Sequence, residues 1–279
     1  MRSRGFTLIE MIVVIVLTSI IASAVAVFIK LPIEGYVATA RRAEMTDIAD
    51  TAIRRMGRDL RLALPNSVRV TDGGATIEIL LTKTGGRYRS ESDTTATADA
   101  LNFSAADTLF DQFGPLSVLT GQAITINSDS VVIYNLGQGI TSADAYAAAA
   151  DNRSVIRGLP AGALANERRI QIDAKQFPLE SPGNRFQVIE GPVSYVCANG
   201  QLTRYWGYPI QAAQPTAAAL PTLGGASALL AANVGAGGCV FGYNPGITAR
   251  SGLVDLTLII TQANESVRLY HEVHVTNVP

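Results

Sequence analysis

Gly5-Phe6-Thr7-Leu8-Ile9-Glu10 opens a long apolar stretch that continues from Met11 to Ile29. The 19 residues from Met11 to Ile29 include no charged side chain, and the three polar ones are all hydroxyl residues. At about 1.5 Å per residue, a helix of this length spans roughly 28 Å, close to the hydrocarbon thickness of a bilayer. Because backbone groups in lipid must be satisfied within the segment itself, the sequence predicts a membrane-compatible helix.

Glu10 is the one charged residue between Arg4 and Lys30, and it lies near the start of this apolar helix. A carboxylate inside a bilayer costs on the order of 3 kcal/mol on insertion scales. We therefore expect a compensating charge, and the equivalent helix of a neighbouring copy is one candidate source.

A short basic segment, Met1–Gly5, precedes the apolar helix. An ordinary secretory leader carries its apolar region before the cleavage site, whereas here the apolar region follows the small residue Gly5. The run from Gly5 to Glu10 resembles the prepilin signature of type IV pilins and of type II secretion pseudopilins. An ordinary signal anchor with a stray acid is the alternative, and it explains neither Glu10 nor the leader.

This resemblance implies a role for three residues. A prepilin peptidase would cut after Gly5 and methylate the new terminal residue, Phe6. Glu10 would neutralise the terminal amine of a neighbouring subunit during assembly. The implied partners are other major and minor pilins, the prepilin peptidase, the inner membrane and the pilus assembly platform.

The pattern behind the apolar run predicts an α+β fold. Apolar residues recur at three- and four-residue steps up to Leu64, while Pro32 is expected to kink the helix and Pro65 to end it. Alternating strand patterns follow. We expect a long N-terminal helix, with a transmembrane half and an amphipathic half, packed on an antiparallel β-sheet. The expected divisions are a leader at 1–5, a transmembrane or fibre-core helix at 6–31, an amphipathic half at 32–64 and an extracytoplasmic β-rich domain at 65–279.

Local patterns predict individual elements of that domain. A charged face of the stalk is expected to be solvated and to contain the four-apart pairs Asp50–Arg54 and Arg55–Asp59. A final hairpin is expected to turn at 263–265, and another at Asn199-Gly200. The remaining expectations are strands at 77–81, 130–134, 169–172 and 185–189, a loop at 85–100, and a short alanine-rich helix at 142–150.

The net charge and the two cysteines limit which partners and which cellular compartment the sequence suggests. The formal net charge is -1, with 22 basic and 23 acidic residues scattered along the chain, so nothing indicates a nucleic-acid partner. The basic N-terminus favours a location outside the cytoplasm for everything after the helix. Such a compartment permits a disulfide between Cys197 and Cys239, with two free buried thiols as the alternative. The uncharged stretch 211–238 lies between them and is expected to be a long connection, or else an exposed contact surface.

The sequence offers no pattern of catalytic or metal-binding residues. His271 and His274, the two histidines, would lie on opposite faces of a strand, and His271 joins an apolar face. Asp107 and Asp111 could pair but are expected at the surface. No nucleophile motif, phosphate-binding glycine loop or metal-ligand spacing is present, so we expect neither enzymatic activity nor a cofactor.

Later stretches resemble the MshO-type minor pilins of the mannose-sensitive haemagglutinin (MSHA) pilus. They are 132–137, 185–197 and the ending 270–279, whereas 211–238 matches least. The resemblance implies a low-abundance subunit that primes or caps the fibre, anchored in the inner membrane with its C-terminal domain in the periplasm. The stalk around Met56–Arg61 also resembles the J-type pseudopilin of type II secretion. A membrane-tethered periplasmic binding or adhesin domain is the alternative from another class.

Overall fold

A computed structural model describes residues 5–90, 98–116, 123–164, 167–246 and 251–279. Its long helix, α1, covers Leu8–Arg61, and its 54 residues correspond to about 81 Å. Pro32 lies inside α1 and does not end it. The helix ends three residues before the expected Leu64, because Ala63 already pairs with Leu81 of the sheet.

Twelve strands in the described residues form two antiparallel sheets, which confirms the α+β prediction. The larger sheet has the order β1-β2-β7-β4-β5-β6-β3, with β8 pairing β7 and β9 pairing β8. The smaller sheet has the order β10-β11-β12. The strands are β1 Arg69–Thr71, β2 Thr76–Arg87, β3 Asp107–Gln112, β4 Ser130–Ile133, β5 Arg153–Gly158, β6 Arg168–Lys175, β7 Arg185–Ala198, β8 Gln201–Trp206, β9 Ala226–Ala231, β10 Val234–Asn244, β11 Gly252–Gln262 and β12 Glu265–Val275.

The two halves of α1 have different surroundings. Every described side chain from Gly5 to Val37 is exposed, and this half is long and apolar enough to cross a membrane. The second half buries a stripe that packs against both sheets. Its fully covered members are Met45, Ala49, Ala52, Ile53, Met56 and Leu60. Each large aliphatic side chain removed from water in this way contributes roughly 1.5–3 kcal/mol, so the stripe holds the helix on the domain.

Alternation along the strands decides which side chains face α1. Ile77 and Ile79 of β2 lie in the same apolar core as the helix stripe, and Leu80 lies in a separate core on the other side of the sheet. The final hairpin follows the expected pattern, with Val254 and Val273 buried in the core beneath α1. The larger sheet therefore has a helix-facing side and an outer side.

Two local predictions were wrong. Residues 142–150 form turns instead of a short helix. The carboxylate of Asp144 accepts hydrogen bonds from the backbone N–H groups of Gly139 and Tyr146, and Ser142 and Ala150 adopt left-handed φ values of 66° and 53°. Side-chain bonds of this kind compete with helical backbone bonds and outweigh the helix propensity of alanine here. The expected loop at 85–100 begins later, because β2 continues to Arg87; residues 91–97 lie outside the described residues.

The stretch 211–238 is more ordered than a plain connection. It contains a 3₁₀ turn at Leu220–Thr222, all of β9 and the first residues of β10. Asp72 accepts a hydrogen bond from the N–H of Ala217, and Arg69 donates to the carbonyls of Gln211 and Ala212. The expectation of a long connection was therefore wrong for much of the stretch.

Cys197 of β7 and Cys239 of β10 form a disulfide, as expected from the sequence. Their Cα atoms lie 6.1 Å apart, within the usual range for such a bridge. The bond joins the larger sheet to the smaller one on the side of the domain where β10 lies beside β1.

Gly57 provides a test of the contact between α1 and β12. A Cβ added at Gly57 would meet His271 Nε2 and Val273 Cγ2 at 3.7 Å, which is ordinary van der Waals contact. Gly57→Ala should therefore raise the free energy of unfolding by up to about 1 kcal/mol through helix propensity. Gly57→Leu should lower it by about 1–3 kcal/mol through overpacking. Urea unfolding of the full chain in detergent, followed by the fluorescence of the single tryptophan, Trp206, measures both. A lower midpoint for Gly57→Ala would show that the helix lies closer to the sheet than described.

Candidate functional site: the start of the long helix and its attachment to the sheets

The helix starts with a side-chain cap. Gly5, Phe6 and Thr7 are not helical, and the Oγ1 of Thr7 accepts a hydrogen bond from the backbone N–H of Glu10 at 3.3 Å. A threonine followed three residues later by glutamate is the capping-box pattern. This role of Thr7 was readable from the sequence but was missed.

The Gly5–Phe6 peptide bond lies in this exposed, non-helical segment. Gly5 has no atom within 4 Å of an added Cβ, and the side chain of Phe6 is 77% exposed. Uncovered, non-helical backbone of this kind is accessible to an enzyme that binds the chain ahead of the helix. Residues 1–4 of the expected leader lie outside the described residues.

Glu10 lies in the first turn of α1 with an exposed side chain. A carboxylate there interacts favourably with the positive end of the helix dipole. Within the described part of the chain, no basic group lies within 4.0 Å of it, whereas Glu34 on the same helix is 3.6 Å from Lys30. The helix dipole is therefore the favourable electrostatic contact that the described residues give Glu10.

Asp59, in the last turns of α1, connects the helix to the β7–β8 hairpin. Its Oδ2 accepts hydrogen bonds from the hydroxyl of Tyr195 at 2.7 Å and from Nε of Arg204 at 2.8 Å. Asp59 is only 7% exposed, and the guanidinium of Arg204 also lies over the ring of Trp206. Burial and the charge of Asp59 both raise the pKa of Tyr195, so its hydroxyl stays a donor at neutral pH. This buried pair fixes the rotation of α1 on the sheet.

The expectation of a simply solvated charged face holds for only part of the stalk. The two predicted four-apart pairs are present: Asp50–Arg54 at 2.7 Å and exposed, and Arg55–Asp59 at 3.6 Å. Sequence reasoning found Arg55 as a partner of Asp59 but missed Arg204, because 145 residues separate Asp59 from it.

A second ionic contact holds α1 nearer its middle. The guanidinium of Arg42 donates from Nε and Nη2 to the carboxylate of Glu265, each at 3.3 Å. Glu265 begins β12, directly after the turn of the final hairpin. Arg42 and Asp59 are about 25 Å apart along the helix, so the charged contacts lie at both ends of the buried stripe.

The two predicted acids, Asp107 and Asp111, lie near a common neighbour, because burial and both of their charges raise the pKa of Asp99, whereas the two histidines lie on opposite faces of β12. His271 is half-buried on the helix-facing side of β12 and His274 is exposed on the other side. Across the residues that the structure describes, no cluster of three or more histidine, cysteine or acidic side chains could hold a metal ion.

Asp111 is fully buried and the expectation that it lies at the surface was wrong. Burial alone would raise the pKa of Asp111, but hydrogen bonds from Arg169 at 2.7 Å bring it below its ordinary value and make burial tolerable.

The comparison with known families decides how the N-terminal segment is interpreted. Residues 1–26 match the model of the prokaryotic N-terminal methylation motif. The match supports a type IV pilin-like prepilin. Proteins of this type are structural and in general non-catalytic, and the motif implies association with other pilins and with a prepilin peptidase. The exposed apolar half of α1 fits the membrane anchor of a pilin. Searches among curated proteins and among solved structures gave no match to the chain.

The attachment of α1 can be tested by comparing two aspartates on the same helix. Asp59→Ala should lower the free energy of unfolding by about 3 kcal/mol, since it leaves Arg204 buried without its partner. Asp50→Ala, which removes an exposed pair, should change it by less than about 0.5 kcal/mol. Urea unfolding of the full chain in detergent measures both. Equal effects of the two substitutions would contradict the special role of Asp59.

Proposed function

We propose that this protein is a non-catalytic minor pilin that takes part in assembling an MSHA-like type IV pilus, by priming or capping the fibre. The observation that carries the proposal is Glu10, a carboxylate without an ion pair among the described residues, at the exposed start of an apolar helix directly behind the Gly5–Phe6 bond. The motif match extends over this segment and supports the coarser assignment to pilin-like or pseudopilin proteins.

The proposed course of assembly follows from this arrangement. The apolar half of α1 anchors the precursor in the inner membrane, and the β-rich domain lies in the periplasm. Cleavage after Gly5 creates an amine at Phe6, about four residues or roughly 6 Å from Glu10 along the axis. A neighbouring subunit shifted along the fibre brings its own amine next to Glu10. Because desolvation cancels much of the attraction, the pair sets register and recruitment more than stability.

The segments take separate roles in this proposal. Residues 1–5 are the leader and 6–31 form the membrane or fibre-core helix. Residues 32–64 carry the β-rich domain of 65–279, to which the second half of α1 is packed. During assembly the exposed apolar half leaves the lipid and packs against the helices of other subunits, and the structure of the domain does not change.

The first prediction of this proposal concerns processing. In cells with an active prepilin peptidase, the mature chain should begin at Phe6 with a methylated amine, because Gly5 and Phe6 lie uncovered ahead of the helix. Intact-mass measurement of the membrane-extracted protein checks it. The same chain from cells without the peptidase should keep Met1–Gly5. Retention of the leader in both strains would rule out processing as a prepilin.

The second prediction concerns recruitment. Glu10→Ala should leave membrane insertion and processing intact, since removing a charge eases burial in lipid, but should strongly reduce the amount of the subunit in sheared fibres. Glu10→Asp keeps the charge at shorter reach and should give an intermediate defect. Glu34→Ala removes an acid that already has a partner on its own helix and serves as the control. Quantitative mass spectrometry of purified fibres, normalised to the processed membrane pool, measures all three. Wild-type incorporation of Glu10→Ala would refute charge pairing.

The same fibre preparation tests the alternatives. A J-like pseudopilin should be absent from surface pili and depend on a type II secretion system. A membrane-tethered binding domain should be absent from both fibres and indifferent to Glu10→Ala. Recovery of the protein in purified pili supports the minor-pilin proposal.

A further inference from the structure

A cleft of about 470 Å³ opens on the outer side of the larger sheet, the side away from α1. Ile189, in one wall, packs with Leu80, which lies on the opposite side of β2 from the helix-facing Ile79. The cleft is formed by the turn before β4, by β5, by the middle of β7 and by the segment 207–210 that follows β8. Its volume is in the range of small-molecule sites and suits a ligand of one or two sugar units.

A β-bulge shapes one wall of the cleft. Leu81 pairs with Gly191 and the next residue, Thr82, pairs with Ile189, so Glu190 has no partner on β2. Gly191 adopts a φ of 137° at this point. On a regular strand, successive side chains alternate between faces, but here four consecutive residues, 189–192, line the same cleft. The bulge thereby adds Glu190 to the lining of the cleft.

Arg153 of β5 brings a positive charge to the same cleft. Its Nε is buried and has no hydrogen-bond partner among the described residues, and its Nη2 makes one long contact, 3.5 Å from the carbonyl of Ala147. Burial lowers the pKa of Arg153, and the charge of Asp144 opposes that effect. Across the described ranges, no carboxylate lies within 4.0 Å of its guanidinium. A guanidinium has five donors, so most of its capacity is unused.

Glu190 is likewise without an ion pair in the part of the chain that the structure describes. Two opposite charges therefore line one cleft without forming a salt bridge to each other or to other described groups. A ligand that offers an anion to Arg153 and hydrogen-bond donors to Glu190 would satisfy both.

The neighbouring wall is held in place by a separate buried network. The hydroxyl of Tyr208 donates to Glu78 at 2.9 Å and lies 2.7 Å from that of Ser194. Arg69 pairs with Glu78 at 2.6 Å and lies over the ring of Tyr146. The charge of Glu78 is thus already neutralised and does not compete for a ligand. A wall fixed before binding reduces the entropy lost on binding.

We propose that this cleft binds a small sugar acid. The ligand carboxylate pairs with Arg153, whose planar fork matches carboxylate geometry. Ring hydroxyls donate to Glu190, and the apolar faces of Pro192 and Ile210 lie against the sugar ring. This inference goes beyond the assembly role and does not depend on it, because assembly uses the start of α1 and binding uses the outer side of the sheet.

Ligand-observed saturation-transfer NMR on the full chain in detergent micelles tests the proposal, with sodium D-galacturonate as the probe. D-galactose is the matched neutral sugar, and L-alanine is a zwitterion without the hydroxyls. Galacturonate should bind saturably, and galactose and alanine at least tenfold more weakly. Arg153→Gln should weaken galacturonate at least tenfold, to the level of galactose. Glu190→Gln should weaken both sugars. Arg168→Gln, which removes an exposed arginine of β6 outside the cleft, should change nothing.

Several results would overturn the sugar-acid assignment: no saturable binding of galacturonate, equal binding of galactose, tighter binding of alanine, or an equal loss in Arg153→Gln and Arg168→Gln. The fold of each variant is checked by the fluorescence of Trp206. If Arg153→Gln unfolds, Glu190→Gln, at a half-buried bulge residue that forms no ion pair among the described residues, decides the outcome. Incorporation into fibres is measured separately, so failure of binding and failure of the pilin proposal are distinguishable.

Discussion

The buried pair of Asp59 and Arg204 is the interaction on which the arrangement of helix and sheets depends. A carboxylate that is 7% exposed is tolerable only with hydrogen-bonding partners, and Tyr195 and Arg204 both supply them from the β7–β8 hairpin. Apolar packing alone would allow α1 to slide or rotate, because hydrophobic contact is not directional. Two directional hydrogen bonds to one carboxylate fix a single position and rotation of the helix on the sheets.

Asp59 and Glu10 show how one helix can serve two purposes. The second half of α1 satisfies its acid within the chain, and its apolar stripe is covered by the two sheets. The first half leaves Glu10 and all its described apolar side chains uncovered. The domain is therefore complete without the first half, and the first half is suited to surroundings that the chain itself does not provide.

The sequence predicted the elements whose signals are local. The apolar run, the helical stripe and the alternation of the final hairpin depend only on neighbours a few residues away, and all appear in the structure. Apart from the disulfide, contacts between distant residues were not predicted: nothing near Asp59 indicates Arg204, and nothing near Asp111 indicates Arg169. The motif Gly5 to Glu10 was recognisable as a pattern, but the cap that Thr7 provides was seen only in the structure.

Local side-chain hydrogen bonds and strand pairing both outweighed the intrinsic propensity of alanine. Alanine-rich residues 142–150 were expected to be helical, but the hydrogen bonds of Asp144 hold them in turns. Alanine is a poor strand former, yet β9 is alanine-rich and exists because β8 offers its backbone for pairing. The bulge at Glu190 lies where the register of β2 against β7 shifts, and its local signal, Gly191-Pro192, was missed in the sequence.

The disulfide between Cys197 and Cys239 has a mechanical consequence. The second half of α1 lies between two sheets, with contacts to β9 of the larger one and to β11 and β12 of the smaller one. The covalent bond from β7 to β10 joins the two sheets on one side of the helix, so a force perpendicular to the helix cannot separate the sheets there. A load that pulls α1 along its own axis acts in shear on the buried stripe, so many contacts must break at once.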